Sequence, residues 1–205
     1  MYIHKHGTYL YDPEFADTFA DAFDRANSDK ASHHAYHEVY SHLLAKQEVS
    51  SFLEIGLFLS DCSPDTDLHA WANIFPYAEI YGADWKGHLL FETERIKTFY
   101  VNQDEAYSFD ILKEKLPQKI DVILDDASHM LDKTITTFEK MYDTVADGGL
   151  YLIEDILVRR YSDADWEQNI GDLMNYFSSQ GVKYEAFSTS TIRKCVDSIV
   201  LAVYK

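Results

Sequence analysis

Carboxylates lie at the ends of several short β-rich segments of the sequence. One such segment ends at Asp84, and two others end in the doublets 125–126 and 154–155, which read Asp-Asp and Glu-Asp. Ligands of an open α/β sheet bind beyond the carboxyl ends of its strands. A single acid there can equally cap a helix, but two doublets on neighbouring strands repel each other unless a cation lies between them. We therefore predict a cation site at this edge of the sheet.

The types of these residues favour a divalent metal and a nearby base. Asp126, Glu154 and Asp155 offer the oxygen ligands that Mg²⁺ prefers, and a small ligand set leaves coordination positions open for a substrate. His129 follows Asp126 by three residues. A loop histidine more often makes one structural hydrogen bond, but beside a metal it can take a proton from an acidified hydroxyl. We predict His129 and Asp125 as the catalytic residues.

A nucleoside site is predicted from the first two β-rich segments. The first ends in Glu54-Ile55-Gly56, and residues 57–67 after it contain no glycine. This excludes the G-x-G-x-x-G fingerprint of dinucleotide-binding domains, and the chain has no Walker A motif. Asp84 closes the second segment, where a carboxylate can accept hydrogen bonds from both ribose hydroxyls. Trp85 could flank the base or belong to the core.

An α/β fold would bring these residues together. The predicted strands cover 51–56, 79–84, 96–101, 120–125, 150–154, 182–187 and 198–204. Helical patterns lie between them at 67–75, 106–116, 131–145 and 164–179. Apolar strands separated by crossover helices indicate a parallel sheet covered on both faces. The short connection between the last two strands indicates an antiparallel pair, so we predict a Rossmann-like, doubly wound, mostly parallel seven-stranded sheet.

The N-terminal part has a different pattern. Phe15, Phe19 and Phe23 recur every four residues in a helix predicted over 13–26, and a second helix is predicted over 32–46. We divide the chain into a helical appendage, 1–48, and a Rossmann-like domain, 49–205.

Composition mainly excludes partners. The chain has 18 Lys and Arg against 35 Asp and Glu, a formal charge of −17, and no basic run. Phosphate backbones and anionic membranes need basic residues, so we expect neither nucleic acid nor membrane as a partner. Two isolated cysteines, Cys62 and Cys195, and the absence of a signal-peptide pattern favour the cytoplasm. A homo-oligomer stays open.

From residue 28 to about 156 the chain resembles class I S-adenosylmethionine (SAM)-dependent methyltransferases, in particular the metal-dependent sugar O-methyltransferases of macrolide biosynthesis and their bacterial relatives. Eight segments carry the resemblance in order: SDK at 28–30, HAY at 34–36, LEIG at 53–56, AEIYGAD at 78–84, RIKT at 95–98, NQD at 102–104, DDASH at 125–129 and GGLYLIED at 148–155.

The resemblance implies roles for these residues. SAM would bind with its ribose at Asp84. The cofactor contacts that it implies elsewhere are Gln103 and Asp104 at the adenine, and Glu54 and Gly56 at the methionine end. Residues 28–40 would fold over the site, and Lys30, His34 and Tyr36 would contact cofactor or substrate. Mg²⁺ would lie on Asp126, Glu154 and Asp155, with His129 as the base. The implied reaction is methylation of a hydroxyl on a small molecule such as a sugar.

One departure from the family keeps other functions open. Family members have glycines after the first strand, where this chain has the bulky Phe58 and Leu59. The loop then either binds SAM in a modified way or has lost affinity for it, which would leave a binding protein without methyl transfer. A metal-dependent enzyme of another kind, such as a hydrolase, is a third hypothesis. We expect the segment 157–166, which contains Arg159-Arg160-Tyr161, to shape the acceptor site.

Overall fold

The computed structural model describes residues 2–57, 66–155, 163–193 and 198–205. Within these ranges one sheet contains the strands β1 (His4–Lys5), β2 (Ser51–Ile55), β3 (Glu79–Asp84), β4 (Ile96–Tyr100), β5 (Ile120–Asp125), β6 (Val145–Glu154), β7 (Lys183–Ser188) and β8 (Ile199–Tyr204). The strand order is β1-β7-β8-β6-β5-β2-β3-β4. Strand β8 is antiparallel to both of its neighbours, β6 and β7, and the other pairs are parallel.

Helices cover both faces of the sheet. They are α1 (Pro13–Arg25), α2 (Asp29–Ser32), α3 (Tyr36–Leu44), α4 (Thr66–Ile74), α5 (Ala106–Lys115), α6 (Leu131–Met141), α7 (Asp163–Ser179) and α8 (Ser190–Arg193). One hydrophobic cluster joins α1, α3 and α4 to one face, and a second joins α5, α6 and α7 to the other. The central strand β5 is accordingly apolar on both faces, with Val122, Ile123 and Leu124 fully buried.

The predicted α/β fold is confirmed, with the seven expected strands in their expected places. The structure adds the two-residue edge strand β1, which pairs with β7 through His4 and Phe187. A strand this short has no periodic pattern that would reveal it. Strand β6 begins at Val145 rather than at the predicted residue 150, because the helix before it ends at Met141.

The N-terminal helices share a core with the sheet. Asp12 caps α1 by accepting hydrogen bonds from the backbone of the first turn, and Pro13 follows it at the first helical position. The predicted aromatic stripe then packs inward: Phe23 lies edge-on to Trp71 at 5.0 Å. The predicted helix 32–46 is broken at Ala35, whose φ of 57° is left-handed. Helix α2 lies before this break, and its Lys30 contacts acids at the carboxyl edge of the sheet.

Across the ranges that the structure covers, we find no helix long and apolar enough to cross a membrane.

Candidate active site

A cavity of about 500 Å³ lies at the carboxyl ends of β2, β3, β5 and β6. The strand order reverses between β2 and β5, and ligands of doubly wound sheets bind at such a point. Most of the predicted site residues line this cavity: Lys30, Tyr36, Gly56, Asp84, Trp85, Gln103, Asp104, Asp126, His129, Glu154 and Asp155. The topology therefore brings together residues from positions 30 to 155.

Two predicted residues do not line the cavity. Glu54 is fully buried within β2, and one of its oxygens accepts a hydrogen bond from Trp71 at 3.1 Å. Asp125 is buried at the end of β5, where it accepts hydrogen bonds from Tyr151 and from the backbone of Ala127, each at 3.4 Å. Burial raises the pKa of Asp125 to about 7. Strand alternation turns the side chain of Asp125 into the core, away from the cavity, and its catalytic role stays a prediction.

Gly56 allows the loops after β2 and β5 to meet. Its φ is 94°, and a Cβ atom there would lie 2.3 Å from the carbonyl oxygen of Asp126 and 2.5 Å from Cα of Ala127. Only glycine avoids both the backbone strain and this overlap. The glycine predicted to approach the cofactor therefore also positions the loop that contains Asp126.

Asp84 is held rigidly at the end of β3. One carboxylate oxygen accepts a hydrogen bond from the backbone N–H of Leu57 at 2.9 Å, and the other accepts one from the backbone N–H of Lys86 at 2.7 Å. Each carboxylate oxygen has a second lone pair for a further donor. Trp85, next in the chain, is 62% exposed and lines the cavity rather than the core.

The loop after β4 is anchored to α6. Gln103 donates a hydrogen bond to Thr137 at 2.8 Å, and Asp104 forms an ion pair of 2.8 Å with Lys133. Both residues line the cavity on the β4 side, and Lys133 lines it as well. Sequence reasoning did not identify Lys133, because nothing in a helical pattern shows which loop a surface lysine contacts.

Lys30 is surrounded by carboxylates. Its side chain is 2% exposed, and its Nζ lies 2.5 Å from Glu154 and 2.6 Å from Asp126. Nζ also lies 3.3 Å from Glu54 and 3.6 Å from Asp67. Asp67 was absent from our predictions, since α4 gave no signal that one of its acids faces inward. We call these four acids the Lys30 cage.

Burial and charge act against each other in this cage. Burial raises the pKa of Glu54 well above its usual range and that of Glu154 to about 7, although the Lys30 charge opposes both shifts. For Lys30 itself, burial favours the neutral amine, but the charges of Asp126, Glu154, Asp67 and Glu54 together raise its pKa above the usual value. The ammonium therefore stays charged at neutral pH.

A second group lies beside the cage. Single ligand atoms of Asp126, His129 and Asp155 lie within 4.8 Å of one another, and Nε2 of His129 is 3.9 Å from Oδ1 of Asp126. His129 and Asp155 have φ values of 57° and 48°, in the left-handed region that costs free energy for residues with side chains. Such strain is typical of functional sites, and here it turns both side chains toward Asp126.

The segment after α2 also reaches this group. The hydroxyl of Tyr36 donates a hydrogen bond to Oδ1 of Asp155, and Nδ1 of His34 lies 3.5 Å from the same oxygen. His34 is buried, stacks on Tyr36 and contacts Ser198 at 3.0 Å. Of the three predicted metal ligands, Asp126 and Asp155 thus face His129, whereas Glu154 contacts Lys30.

Two predicted features lie outside the described residues. They are Phe58 and Leu59 in the loop after β2, and residues 157–162 of the segment 157–166, which include Arg159-Arg160-Tyr161.

The strand order and the position of the cavity define the class: this chain has the Rossmann-like fold of SAM-dependent methyltransferases. The MycE methyltransferase of the mycinamycin biosynthetic pathway, solved with Mg, SAH and mycinamycin VI, superposes with a TM-score of 0.71 and 24% identity. The match covers 92% of this chain and 53% of that one. An O-methyltransferase from Bacillus cereus in complex with SAH gives a TM-score of 0.59 at 13% identity, covering 92% of this chain and 91% of that one.

Sequence comparison finds O-methyltransferases that are similar to this chain. The chain is 28% identical over 128 residues to 8-demethyl-8-(2-methoxy-alpha-L-rhamnosyl)-tetracenomycin-C 3'-O-methyltransferase of Streptomyces olivaceus, covering 60% of this chain and 32% of that protein. It is 33% identical over 89 residues to mycinamicin VI 2''-O-methyltransferase of Micromonospora griseorubida, covering 43% and 22% respectively. The matches thus span about a third or less of these relatives. No protein-family model matches the chain.

Proposed function

We propose that this protein is a SAM-dependent, divalent-metal-assisted O-methyltransferase that acts on a hydroxyl of a small molecule such as a sugar. One observation carries the proposal: a single cavity contains the rigid carboxylate of Asp84 and, just after the neighbouring strands β5 and β6, the group Asp126, His129 and Asp155. The first suits a nucleoside, and the second suits a cation and a proton acceptor. The relatives named above are O-methyltransferases by their names, and the name of one of them contains a rhamnosyl tetracenomycin, which supports the same reaction.

The residues around Asp84 fit SAM. Asp84 would accept hydrogen bonds from the ribose hydroxyls with its remaining lone pairs. Trp85 and Gln103 line the cavity on either side of the β3–β4 edge, where they would contact the adenine. Gly56 lines the cavity, and its backbone would lie beneath the methionine end. Asp104 would lie at the adenine, as an exposed acid held by Lys133.

The donor set beside His129 fits a hard divalent ion. Asp126 and Asp155 offer oxygens, and Asp155 is the acid that two further groups, from Tyr36 and His34, hold in place. Glu154 would complete the set if its second oxygen, which is buried without a hydrogen-bond partner among the described residues, turned toward the ion. When bound, the ion would lower the pKa of the acceptor hydroxyl.

The chain's own residues then perform the proton transfer and the alignment. His129 would accept the hydroxyl proton on its imidazole as the acceptor oxygen attacks the methyl carbon. SAM, when bound, would supply the methyl group from its sulfonium, and the carbon–sulfur bond would break as S-adenosylhomocysteine forms. Asp84 and the cavity residues around it would hold the methyl donor in line with the oxygen, and such positioning supplies much of the acceleration in bimolecular transfers.

The cofactor half of the proposal is tested by isothermal titration with SAM and SAH. We expect both nucleosides to bind, and Asp84→Ala to weaken binding at least about tenfold, because it removes charge-assisted hydrogen bonds of about 1.5–3 kcal/mol. Asp147→Ala is the matched control, since Asp147 is an exposed acid near the opposite end of β6. The proposal fails if neither nucleoside binds the wild-type protein, or if Asp84→Ala binds the nucleosides as tightly as Asp147→Ala does.

The transfer half is tested with radiolabelled SAM and a panel of glycosides. We expect product formation with Mg²⁺ and its loss with EDTA. Methylation that is unaffected by EDTA would contradict the metal's role while leaving the cofactor assignment intact.

A further inference from the structure

Two sets of residues in the site have ligand atoms close enough together to hold a metal ion, and the two sets share one residue. The first is Asp126, His129 and Asp155; the second is Glu54, Asp67 and Asp126. In each group, one ligand atom per residue lies within 4.8 Å of the others. Asp126 belongs to both, and its two oxygens divide between them: Oδ1 faces His129 at 3.9 Å, and Oδ2 faces Lys30 at 2.6 Å.

The second group already contains a cation. The ammonium of Lys30 lies among its three acids and also contacts Glu154, the fourth member of the cage, at 2.5 Å. Lys30 belongs to α2, outside the sheet, and its side chain enters the cage at the carboxyl ends of β2, β5 and β6. One ammonium can donate only three hydrogen bonds.

The cage offers more acceptors than Lys30 can satisfy. Oε1 of Glu154 and Oδ1 of Asp67 are buried and have no hydrogen-bond partner within the described ranges. Oε1 of Glu54, although 3.3 Å from the ammonium, also lacks a hydrogen bond of acceptable geometry. Buried carboxylate oxygens without partners cost free energy, so the cage keeps unused acceptors for a cation of higher charge that would take the place of the ammonium.

We propose that Lys30 is a built-in cation that occupies one half of a two-cation centre, and that Asp126 bridges it to an exchangeable divalent ion on Asp126 and Asp155. The role of the second ion rests on the proposed function, whereas the occupation of the cage by Lys30 does not. In enzymes with two metal ions, the ions lie about 3.5–4 Å apart and share carboxylate ligands. Here the lysine takes the place of one of them.

This arrangement makes Lys30 a positioning residue for the metal site. By holding Oδ2 of Asp126, the ammonium fixes the direction of Oδ1 toward His129. It also prevents a second divalent ion from entering the cage, because two cations cannot share the same oxygens at contact distance. The N-terminal segment thereby becomes part of the site.

The experiment counts bound Mn²⁺ in the intact protein by titration and by electron paramagnetic resonance. Lys30→Met removes the charge while keeping an unbranched side chain of similar length. We expect Lys30→Met to bind one more Mn²⁺ per chain than the wild type. We also expect a spin-coupled signal from the bridged pair. The double variant Lys30→Met/Glu54→Gln, which removes a cage acid remote from His129, should lose this additional ion.

The comparison with the wild type separates the two proposals. If the wild type binds one Mn²⁺ and Lys30→Met binds two, both stand. If the wild type binds none and Lys30→Met binds one that Glu54→Gln abolishes, the cage proposal stands and the metal assistance in the proposed function fails. No additional ion in Lys30→Met, or an additional ion that survives Glu54→Gln, overturns the cage proposal.

A folding defect leads to the same decision. If Lys30→Met unfolds in metal-free buffer, the proposal predicts that Mn²⁺ restores its circular dichroism spectrum and raises its Tm more than that of the wild type, since an ion that binds only the folded state stabilises it. Failure of Mn²⁺ to restore the fold counts against the proposal.

Discussion

Replacing Gly56 by alanine tests how the loop that contains Asp126 is positioned. The added Cβ atom would lie 2.3 Å from the carbonyl oxygen of Asp126 and 2.5 Å from Cα of Ala127, both of which are backbone atoms. Overlap of this kind forces a backbone shift that costs about 1–3 kcal/mol. The φ of 94° adds about 1–2 kcal/mol for a residue with a side chain. From the sum of these two costs, we expect Gly56→Ala to lower the free energy of unfolding by about 2–5 kcal/mol.

Gly148→Ala is the matched control for this change. Gly148 has a similar φ of 81°, but a Cβ atom there would meet nothing within 4 Å. Its loss of stability should therefore contain only the backbone contribution of about 1–2 kcal/mol. The assay is urea unfolding at neutral pH, followed by Mn²⁺ binding of the folded variants. Gly56→Ala should also weaken Mn²⁺ binding, whereas Gly148→Ala should not. Equal stabilities of the two variants would refute the close approach of the loops.

Three further predictions concern the base, a structural carboxylate and the N-terminal helices. His129→Asn should reduce methyl transfer by about 10²–10⁴-fold without changing the Kd of SAH, and unchanged turnover would exclude it as the base. Asp121 accepts four hydrogen bonds from Ser50 and Ser51. Burial raises the pKa of Asp121, but the four hydrogen bonds outweigh burial and lower this pKa below 3.8. Asp121→Ala should thus lower the free energy of unfolding by about 3 kcal/mol at neutral pH. In urea unfolding this loss should shrink as the pH falls below 3.8 toward the pKa of Asp121 in the folded state. A loss that stays constant with pH would contradict this account. Phe23→Ala should lower the free energy of unfolding by about 3–5 kcal/mol in the same assay. Tyr107 is exposed, and Tyr107→Ala should change this free energy very little. Equal effects of the two variants would mean that α1 does not share the core.

The strands and their polarity could be predicted from the sequence because their signals are local. An apolar run such as 122–124 followed by an acid indicates a buried parallel strand, and acids that end parallel strands must meet at one edge of the sheet. This reasoning placed Asp84, Asp126 and Asp155 beside one cavity. The two-residue strand β1 has no comparable signal, since it depends entirely on the free edge of β7.

The partners of Lys30 could not be predicted from the residues alone. Its acids lie on α4 and on the carboxyl ends of β2, β5 and β6, so their proximity depends on tertiary packing and on the break at Ala35. The same holds for Glu154. Its position at a strand end is visible in the sequence, but its contact with Lys30 depends on side-chain geometry. Asp125 shows the converse, because alternation along β5 turns one member of an acidic doublet into the core.

The most direct test of the proposed function is a crystal structure of the protein with S-adenosylhomocysteine and Mn²⁺, whose anomalous scattering locates the ion. We predict ribose hydroxyls within hydrogen-bond distance of Asp84, and one Mn²⁺ coordinated by Asp126 and Asp155 beside His129, in the same cavity. A nucleoside bound elsewhere, or a cavity that stays without nucleoside and ion at saturating concentrations, would contradict it.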